Sequence, residues 1–292
     1  MVPLIVITGP TASGKSGLAL SLAERWGGEI ICADSRTIYT GMDVGTAKPS
    51  LADRSKVPHH LLDMVEPGGR FTVADFQKHA QLAIAEIRER GKVPIMVGGS
   101  GLYVDSIVLD YEFGPDVDPN ERQQLEAQTV DQLVTLLQNH HIALPENAKN
   151  KRYLIRAFER RGQVVSSKTT PDHSVYVVAL TTDSDMLKDR IRQRIEIMFA
   201  SGAIEEAQRL ANQYGWECEA MTGNIYAVIK GVLTGSLSRA EAIERSVVRD
   251  LRLVKRQITW LKRRPYVQWL GKSEAEEYFD SILREYRDSS AQ

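Results

Sequence analysis

The run Leu4-Ile5-Val6-Ile7-Thr8 leads directly into Gly9-Pro10-Thr11-Ala12-Ser13-Gly14-Lys15-Ser16, and no other stretch of the 292 residues constrains the fold as tightly. A continuous apolar run of this length marks a strand buried on both faces. The eight residues after it fit G-x-x-x-x-G-K-[ST]; Ser16 to Trp26 then shows helical spacing, closed by Gly27-Gly28. A strand, a glycine turn and a helix in that order bring successive backbone N–H groups to one point and aim the positive end of the helix dipole at it. Lys15 adds a cation, and the Ser16 hydroxyl is able to ligand Mg²⁺. The pattern predicts a cradle for a polyphosphate or pyrophosphate.

Glu29 to Ala33 reads as a second strand ending at Asp34-Ser35. Phe71 to Arg90 reads as a helix, Val93 to Val97 as a third core strand with Gly98-Gly99 as its sharp exit, and Val175 to Leu180 as a further strand. Strands alternating with helices imply parallel βαβ units, so the fold class is α/β with a P-loop NTPase-like sheet. The strand signal vanishes between Phe113 and Lys168, where Glu121 to His140 has helical spacing, Pro145 breaks the chain and Asn150 to Arg161 is a short basic helix. Helical spacing resumes from Asp185 to Arg264. The predicted division is a catalytic core of residues 1–112 and 169–292, with a helical C-terminal part, and a helical insertion over 113–168. NTPases usually end an apolar strand in Asp to organise Mg²⁺. Val93 to Val97 ends in glycines instead, and the carboxylate lies on the second strand, at Asp34. All strands of a parallel sheet open on one edge, so Asp34 sits beside the cradle as a general base, a metal organiser, or a cap for the next turn.

Composition removes several alternatives. With 37 Lys+Arg against 38 Asp+Glu, 42% hydrophobic and 26% charged residues, the chain is neither disordered nor a uniformly basic polyanion binder. Cys32 and Cys218 are its only cysteines, which excludes a disulfide scaffold and a Cys-rich zinc module and fits a reducing cytosol. Val93 to Val104 is too short to span a bilayer, and Met1 runs into a strand with no basic leader, so a cytoplasmic protein without a membrane partner is expected. His59-His60 has no further His or Cys at ligand spacing, and no metal is assigned to it.

Asp34-Ser35-Arg36-Thr37-Ile38-Tyr39, followed by Gly41-Met42-Asp43-Val44-Gly45-Thr46-Ala47-Lys48-Pro49, resembles the tRNA dimethylallyltransferase family. Pro58-His59-His60-Leu61-Leu62-Asp63, Gly98-Gly99-Ser100-Gly101-Leu102-Tyr103, the stretch from Asn150 to Glu159, Arg190-Ile191-Arg192-Gln193-Arg194 and Lys255-Arg256-Gln257-Ile258-Thr259-Trp260-Leu261 continue the likeness. The resemblance implies transfer of a dimethylallyl group from its diphosphate to N6 of the adenosine next to the anticodon. The loop of Gly9, Pro10, Thr11, Ala12, Ser13, Gly14, Lys15 and Ser16 would then hold the prenyl diphosphate rather than ATP. Asp34 would take the proton from the adenine amino group. Lys15, Ser16 through Mg²⁺, Arg190 and Arg194 would stabilise departing diphosphate, the two arginines being one helical turn apart. Thr11 and Ser100 would supply polar contacts at the reacting centre. The implied partners are a tRNA anticodon stem-loop and dimethylallyl diphosphate, with the enzyme acting as a monomer.

An RNA partner also has a physical basis in the charge pattern. Plotted at about 100° per residue, Ile243, Val247, Leu251, Val254, Ile258 and Leu261 form one stripe, and Arg245, Arg249, Arg252, Arg256 and Arg263 lie nearly opposite. Arg245 to Arg264 holds eight basic residues against Asp250, a local +7 in a chain of net −1. Such a helix reaches about 30 Å along a phosphate backbone. A second run, Lys149 to Lys168, has seven basic residues against Glu159 and places Arg152 and Arg156 in the insertion as RNA contacts. From the C-terminal helix Arg249, Arg252, Lys255, Arg256, Gln257 and Trp260 are expected to meet tRNA. The target base has to leave its stack to reach the cradle, where Asp34, Ser35, Arg36, Thr37, Tyr39 and Ser100 are expected to contact it. The chain departs from the family at Met221-Thr222-Gly223-Asn224-Ile225-Tyr226-Ala227-Val228, where Thr222 stands at a usual Arg and Ile225 at a usual Gly. Asp250-Leu251 replaces a Thr-Arg pair. No zinc finger follows Arg264, as in the shorter bacterial form. Two other readings use the same cradle: a free adenine-nucleotide prenyltransferase or nucleotide kinase, and a non-catalytic RNA-binding protein.

Overall fold

The computed structural model describes residues 1–113, 118–161, 167–223 and 225–290. The chain begins with β1 (Leu4–Thr8), α1 (Lys15–Trp26), β2 (Glu29–Cys32), α2 (Leu51–Lys56), β3 (His59–His60), α3 (Val73–Glu89), β4 (Pro94–Val97) and α4 (Gly101–Val108). Three helices follow, α5 (Pro119–Ala127), α6 (Val130–Asn139) and α7 (Lys151–Glu159). The chain then runs through β5 (Val175–Leu180), α8 (Ser184–Ala200), α9 (Ala203–Tyr214), a 3-10 turn (Glu219–Thr222), α10 (Tyr226–Leu233), α11 (Arg239–Lys262), β6 (Gln268–Leu270) and α12 (Lys272–Ser290). Residues 1–108 and 170–292 form one compact unit, and 109–169 a second.

Six parallel strands in the order β3-β2-β4-β1-β5-β6 make the sheet of the first unit. The strands that read as apolar runs are its interior: Ile5, Ile7, Ile95 and Val178 are fully buried against a layer that includes Leu18 and Leu22 of α1 and Phe279 of α12. Burial of each such side chain contributes about 2 kcal/mol. A separate apolar cluster gathers α8, α9, α10 and α11 with Ile38, Tyr39 and Met42. The carboxyl ends of β1, β2 and β4 are neighbours, so the three segments leaving them share one edge of the sheet.

The edge strands β3 and β6 carry no sequence signal because two and three residues are too few to show alternation. The expected single helix over Glu121 to His140 is two helices. Thr129 closes a capping box with Gln132 and starts α6 afresh, a local bond that outweighs continued periodicity. The C-terminal stretch from Asp185 to Arg264 is likewise four helices and a 3-10 turn. Within the second unit, Leu125, Leu133, Leu137, Leu154 and Ile155 form the core, and Arg122 pairs with buried Glu159 at 2.6 Å.

Candidate active site

Gly9, Ala12 and Gly14 all have positive φ, and this alternation is what turns the loop's N–H groups inward. Gly14 is the N-cap of α1 and offers no side-chain cap, whereas α3 and α11 are closed by the Thr72 and Ser238 capping boxes. The first N–H groups of α1 thus stay available to an anion. The Ser13 hydroxyl is buried within the loop without a hydrogen-bond partner among the described residues. Lys15 Nζ donates to Pro10 O at 2.5 Å. Burial pulls the Lys15 ammonium down to about 8; the Asp34 carboxylate acts against that fall and the Arg194 charge adds to it.

Asp34 leaves β2 into the same space. Its Oδ1 accepts from Arg36 N at 2.8 Å, so the carboxylate caps its turn while lining the cavity. Ser100 Oγ accepts from Ser35 N at 3.0 Å and ties this turn to the one after β4. Gly98 and Gly99 form the sharp exit expected of them, with a bend at Gly99 between the end of β4 at Val97 and the start of α4 at Gly101, although neither has positive φ among the described glycines. Close approach is the reason for all three glycines there. A Cβ on Gly98 would lie 1.9 Å from Ala33 O, one on Gly99 2.3 Å from Gln257 Nε2, and one on Gly101 2.4 Å from Trp260 Cδ1.

Those last two contacts come from α11, which crosses the sheet edge. Gln257 Oε1 accepts from Thr11 N at 2.9 Å and its Nε2 donates to Gly99 O at 3.1 Å, so one side chain joins α11 to the cradle and to the β4 turn. Trp260 Nε1 donates to buried Asp105 Oδ2 at 2.9 Å, and Asp105 also takes Arg264 Nε (2.8 Å) and the Tyr266 hydroxyl (2.6 Å). From α8, Arg194 donates to Thr11 Oγ1 and to Thr46 O, and Arg190 lines the same space. The cavity enclosed is about 840 Å³. Among the residues expected to act together, Thr11, Ala12, Gly14, Lys15, Ser16, Asp34, Ser35, Arg36, Thr37, Ser100, Arg190, Arg194, Arg256, Gln257 and Trp260 line it.

The IPP transferase family model matches residues 37–264. The chain belongs to the IPP transferase family. A curated relative, the tRNA dimethylallyltransferase of Pelotomaculum thermopropionicum, is 39% identical over 283 residues, which cover 92% of this chain and 90% of the relative. That of Geobacter metallireducens is 38% identical, covering 96% and 95%. The crystal structure of the full-length tRNA isopentenylpyrophosphate transferase of Bacillus halodurans aligns over all of both chains with a TM-score of 0.74 at 33% identity.

Several residues of the chain lie elsewhere than expected. Tyr39 is 3% exposed, packs in the apolar cluster beneath the cavity and does not line it, so it is not placed to meet a base. Its aromatic ring lies at a strand-like position where the core recruits it. On α11, Arg252, Lys255 and Arg256 are exposed and Arg249 is half-buried, while Ile243, Leu251 and Ile258 pack on the apolar cluster as the stripe requires. In the second unit Arg152 is exposed; Arg156 is half-buried near Glu159, and this burial lowers its pKa. His60 Nε2 lies 2.7 Å from Glu29 Oε2 and His59 Nδ1 2.8 Å from Val57 O, which makes them members of the edge-strand network.

Glu206 is a structural anchor that sequence spacing does not reveal. Its carboxylate accepts from the N–H groups of Asp43 (2.8 Å), Val44 (2.9 Å) and Gly45 (2.9 Å) and from the Tyr226 hydroxyl (2.7 Å). A Cβ on Gly45 would lie 2.5 Å from the Tyr226 ring, which explains the glycine. Burial and the Glu206 carboxylate together push the Tyr226 phenol up, keeping it a donor. Lys48 Nζ, fully buried, secures the other end of this segment on Asp63 (2.6 Å) and Tyr39 O (2.8 Å). The segment is thereby fixed as a wall of the cavity through Gly45, Thr46 and Ala47. At the departure from the family pattern, Arg36 Nη2 lies 3.5 Å from Thr222 Oγ1 and Nη1 donates to Glu219 O at 3.1 Å, so an arginine stands beside Thr222. Ile225 is buried and lines the cavity; Asn224 lies outside the described residues.

Proposed function

We propose that this cavity transfers a dimethylallyl group from dimethylallyl diphosphate to N6 of the adenosine beside the anticodon of a tRNA, releasing diphosphate. The chain is an enzyme of tRNA modification, and the observation that carries the detailed reading is that Asp34 and the Gly9–Ser16 cradle open onto one cavity. The adenine N6 lone pair attacks the allylic C1 as the C1–O bond to diphosphate breaks, and the bonding electrons leave with the diphosphate oxygen. The N6 proton passes to the Asp34 carboxylate. The N–H groups of the cradle, the α1 N-terminus, Lys15, Arg190 and Arg194 meet the charge that develops on the leaving oxygen. Gln257 and Thr11 hold that cradle in register with α11. The target nucleotide has to be extruded from the anticodon loop, since a base inside a stack cannot reach this depth.

Mg²⁺ fits the donor set. Ser16 and Asp34, both lining the cavity, offer hard oxygens, and no group of three or more His, Cys, Asp or Glu forms a closed cage among the described residues. Mg²⁺ is typically held by one or two protein oxygens plus substrate phosphates and water. Bound there, it supplies charge neutralisation for the diphosphate. No helix among the described residues is long and apolar enough to cross a membrane.

Incubation with dimethylallyl diphosphate, Mg²⁺ and unmodified tRNA is expected to give prenylated tRNA. Product on AMP but not on tRNA sinks the tRNA reading, and RNA binding without product sinks the enzymatic one. The exposed arginines of α11 are proposed to track the tRNA backbone. Arg252→Ala with Arg256→Ala is expected to weaken tRNA binding and to lower the slope of log K against log salt by about 2. An unchanged slope, measured by filter binding between low and moderate salt, would return that face to plain solvation.

A further inference from the structure

Besides Asp34, the cavity holds a second carboxylate, and this one faces the arginines of the cradle. Asp250 on α11 lines the cavity, is 8% exposed, and has Oδ2 3.9 Å from Arg194 Nη1. The same guanidinium donates to Thr11 Oγ1 in the cradle. A buried carboxylate beside an anion site weakens binding in two ways. It neutralises part of the arginine's field before the ligand arrives, and it repels the ligand directly in a medium where water screens poorly. The repulsion grows with ligand charge. Breaking the C1–O bond leaves one more anionic oxygen on diphosphate than the prenyl ester had, so the penalty falls more heavily on product than on substrate.

We propose, resting on the diphosphate reading of the cavity, that Asp250 is a release residue: through Arg194 it loosens the cradle's hold on diphosphate more after bond cleavage than before. It touches none of the reacting atoms and is therefore a positioning residue. Its effect is on the ratio of product to donor affinity.

The test uses the whole chain, with Asp250→Asn as the near-isosteric change and Asp250→Thr as a second variant that removes the charge with a different shape. Calorimetry with Mg²⁺ and no tRNA measures inorganic pyrophosphate and dimethylallyl S-thiodiphosphate, a donor whose leaving group departs slowly. The expected result is that pyrophosphate binds about tenfold more tightly to both variants and the donor analogue only about threefold. A gain in affinity is not what packing damage produces. Pyrophosphate affinity that stays level or falls in both variants overturns the proposal, as does an equal gain for the two ligands. The binding readout needs no prenyl transfer: a wild-type chain that makes no prenylated tRNA sinks the functional reading, whereas the Asp250 comparison stands or falls on the two affinities.

Discussion

Asp34→Asn is expected to lower the single-turnover rate of prenyl transfer by about 10³-fold, within the range that a positioned general base contributes. The substitution is chosen because it separates two jobs of one side chain. Oδ1 accepts from Arg36 N at 2.8 Å, and an asparagine oxygen accepts that bond equally well, so the turn after β2 is kept. Ser35 N still meets Ser100 Oγ, and the exposed arginines of α11 are untouched. What is lost is a group able to take a proton from an amine that becomes acidic as its nitrogen bonds to carbon. Rapid-quench measurement with saturating tRNA reads the step directly, and tRNA affinity measured in parallel is expected to stay within about twofold. Turnover within tenfold of the wild type would remove Asp34 as the base.

The largest expected loss of stability is at Gly98→Ala. The added Cβ would meet Ala33 O at 1.9 Å, its carbonyl carbon at 2.4 Å and its Cα at 2.8 Å, all of them backbone atoms. That backbone is itself committed, since Ala33 N donates to Val97 O and Cys32 is in register with Val97. Neither strand is able to yield without breaking the ladder at the functional edge, and a cost of about 4 kcal/mol is expected. In a chain of this size that is a fall of roughly 10 °C in Tm. Gly99→Ala is the control. Its clash at 2.3 Å is with the amide end of Gln257, a side chain that moves, so stability falls little while the tie to Thr11 N loosens and donor KM rises. Equal Tm losses in the two variants would discredit the close-approach account.

Both predictions rest on parts of the molecule that differed in how well the sequence displayed them. The loop from Gly9 to Ser16 was legible because its backbone conformation demands particular residues at fixed spacing, and Asp34 followed from its place at a strand end. Arg190 and Arg194 were legible as neighbours one helical turn apart. The glycines after β4 were visible, but their reason was not: it lies 158 residues away in Gln257, where no local pattern records it. Gln257 and Trp260 read as members of a basic RNA-facing segment, yet each has its polar end turned inward, to Thr11 and to Asp105. Glu206 shows nothing in sequence because three of its partners are backbone N–H groups, which every residue but proline possesses, and the fourth is the hydroxyl of Tyr226, twenty residues away. Tyr39 went the other way: adjacency to Asp34 suggested the cavity, and the apolar cluster claimed the ring.

The single helix α11 carries solvent-facing arginines on one side and, at Ser246, Asp250, Leu253, Gln257 and Trp260, a cavity wall on another. Its rotational phase is therefore pinned at both ends, by the Ser238 capping box and by the Asp105 cluster. Substitutions along it are separable, but a change of length is not. One inserted residue between Asp250 and Gln257 would rotate everything beyond it by about 100°, withdrawing the amide from Thr11 in the same stroke that swings Arg256 off its bearing. A change in the length of α11 would therefore disturb the cavity wall and the solvent-facing arginines together, whereas a substitution alters one of them at a time.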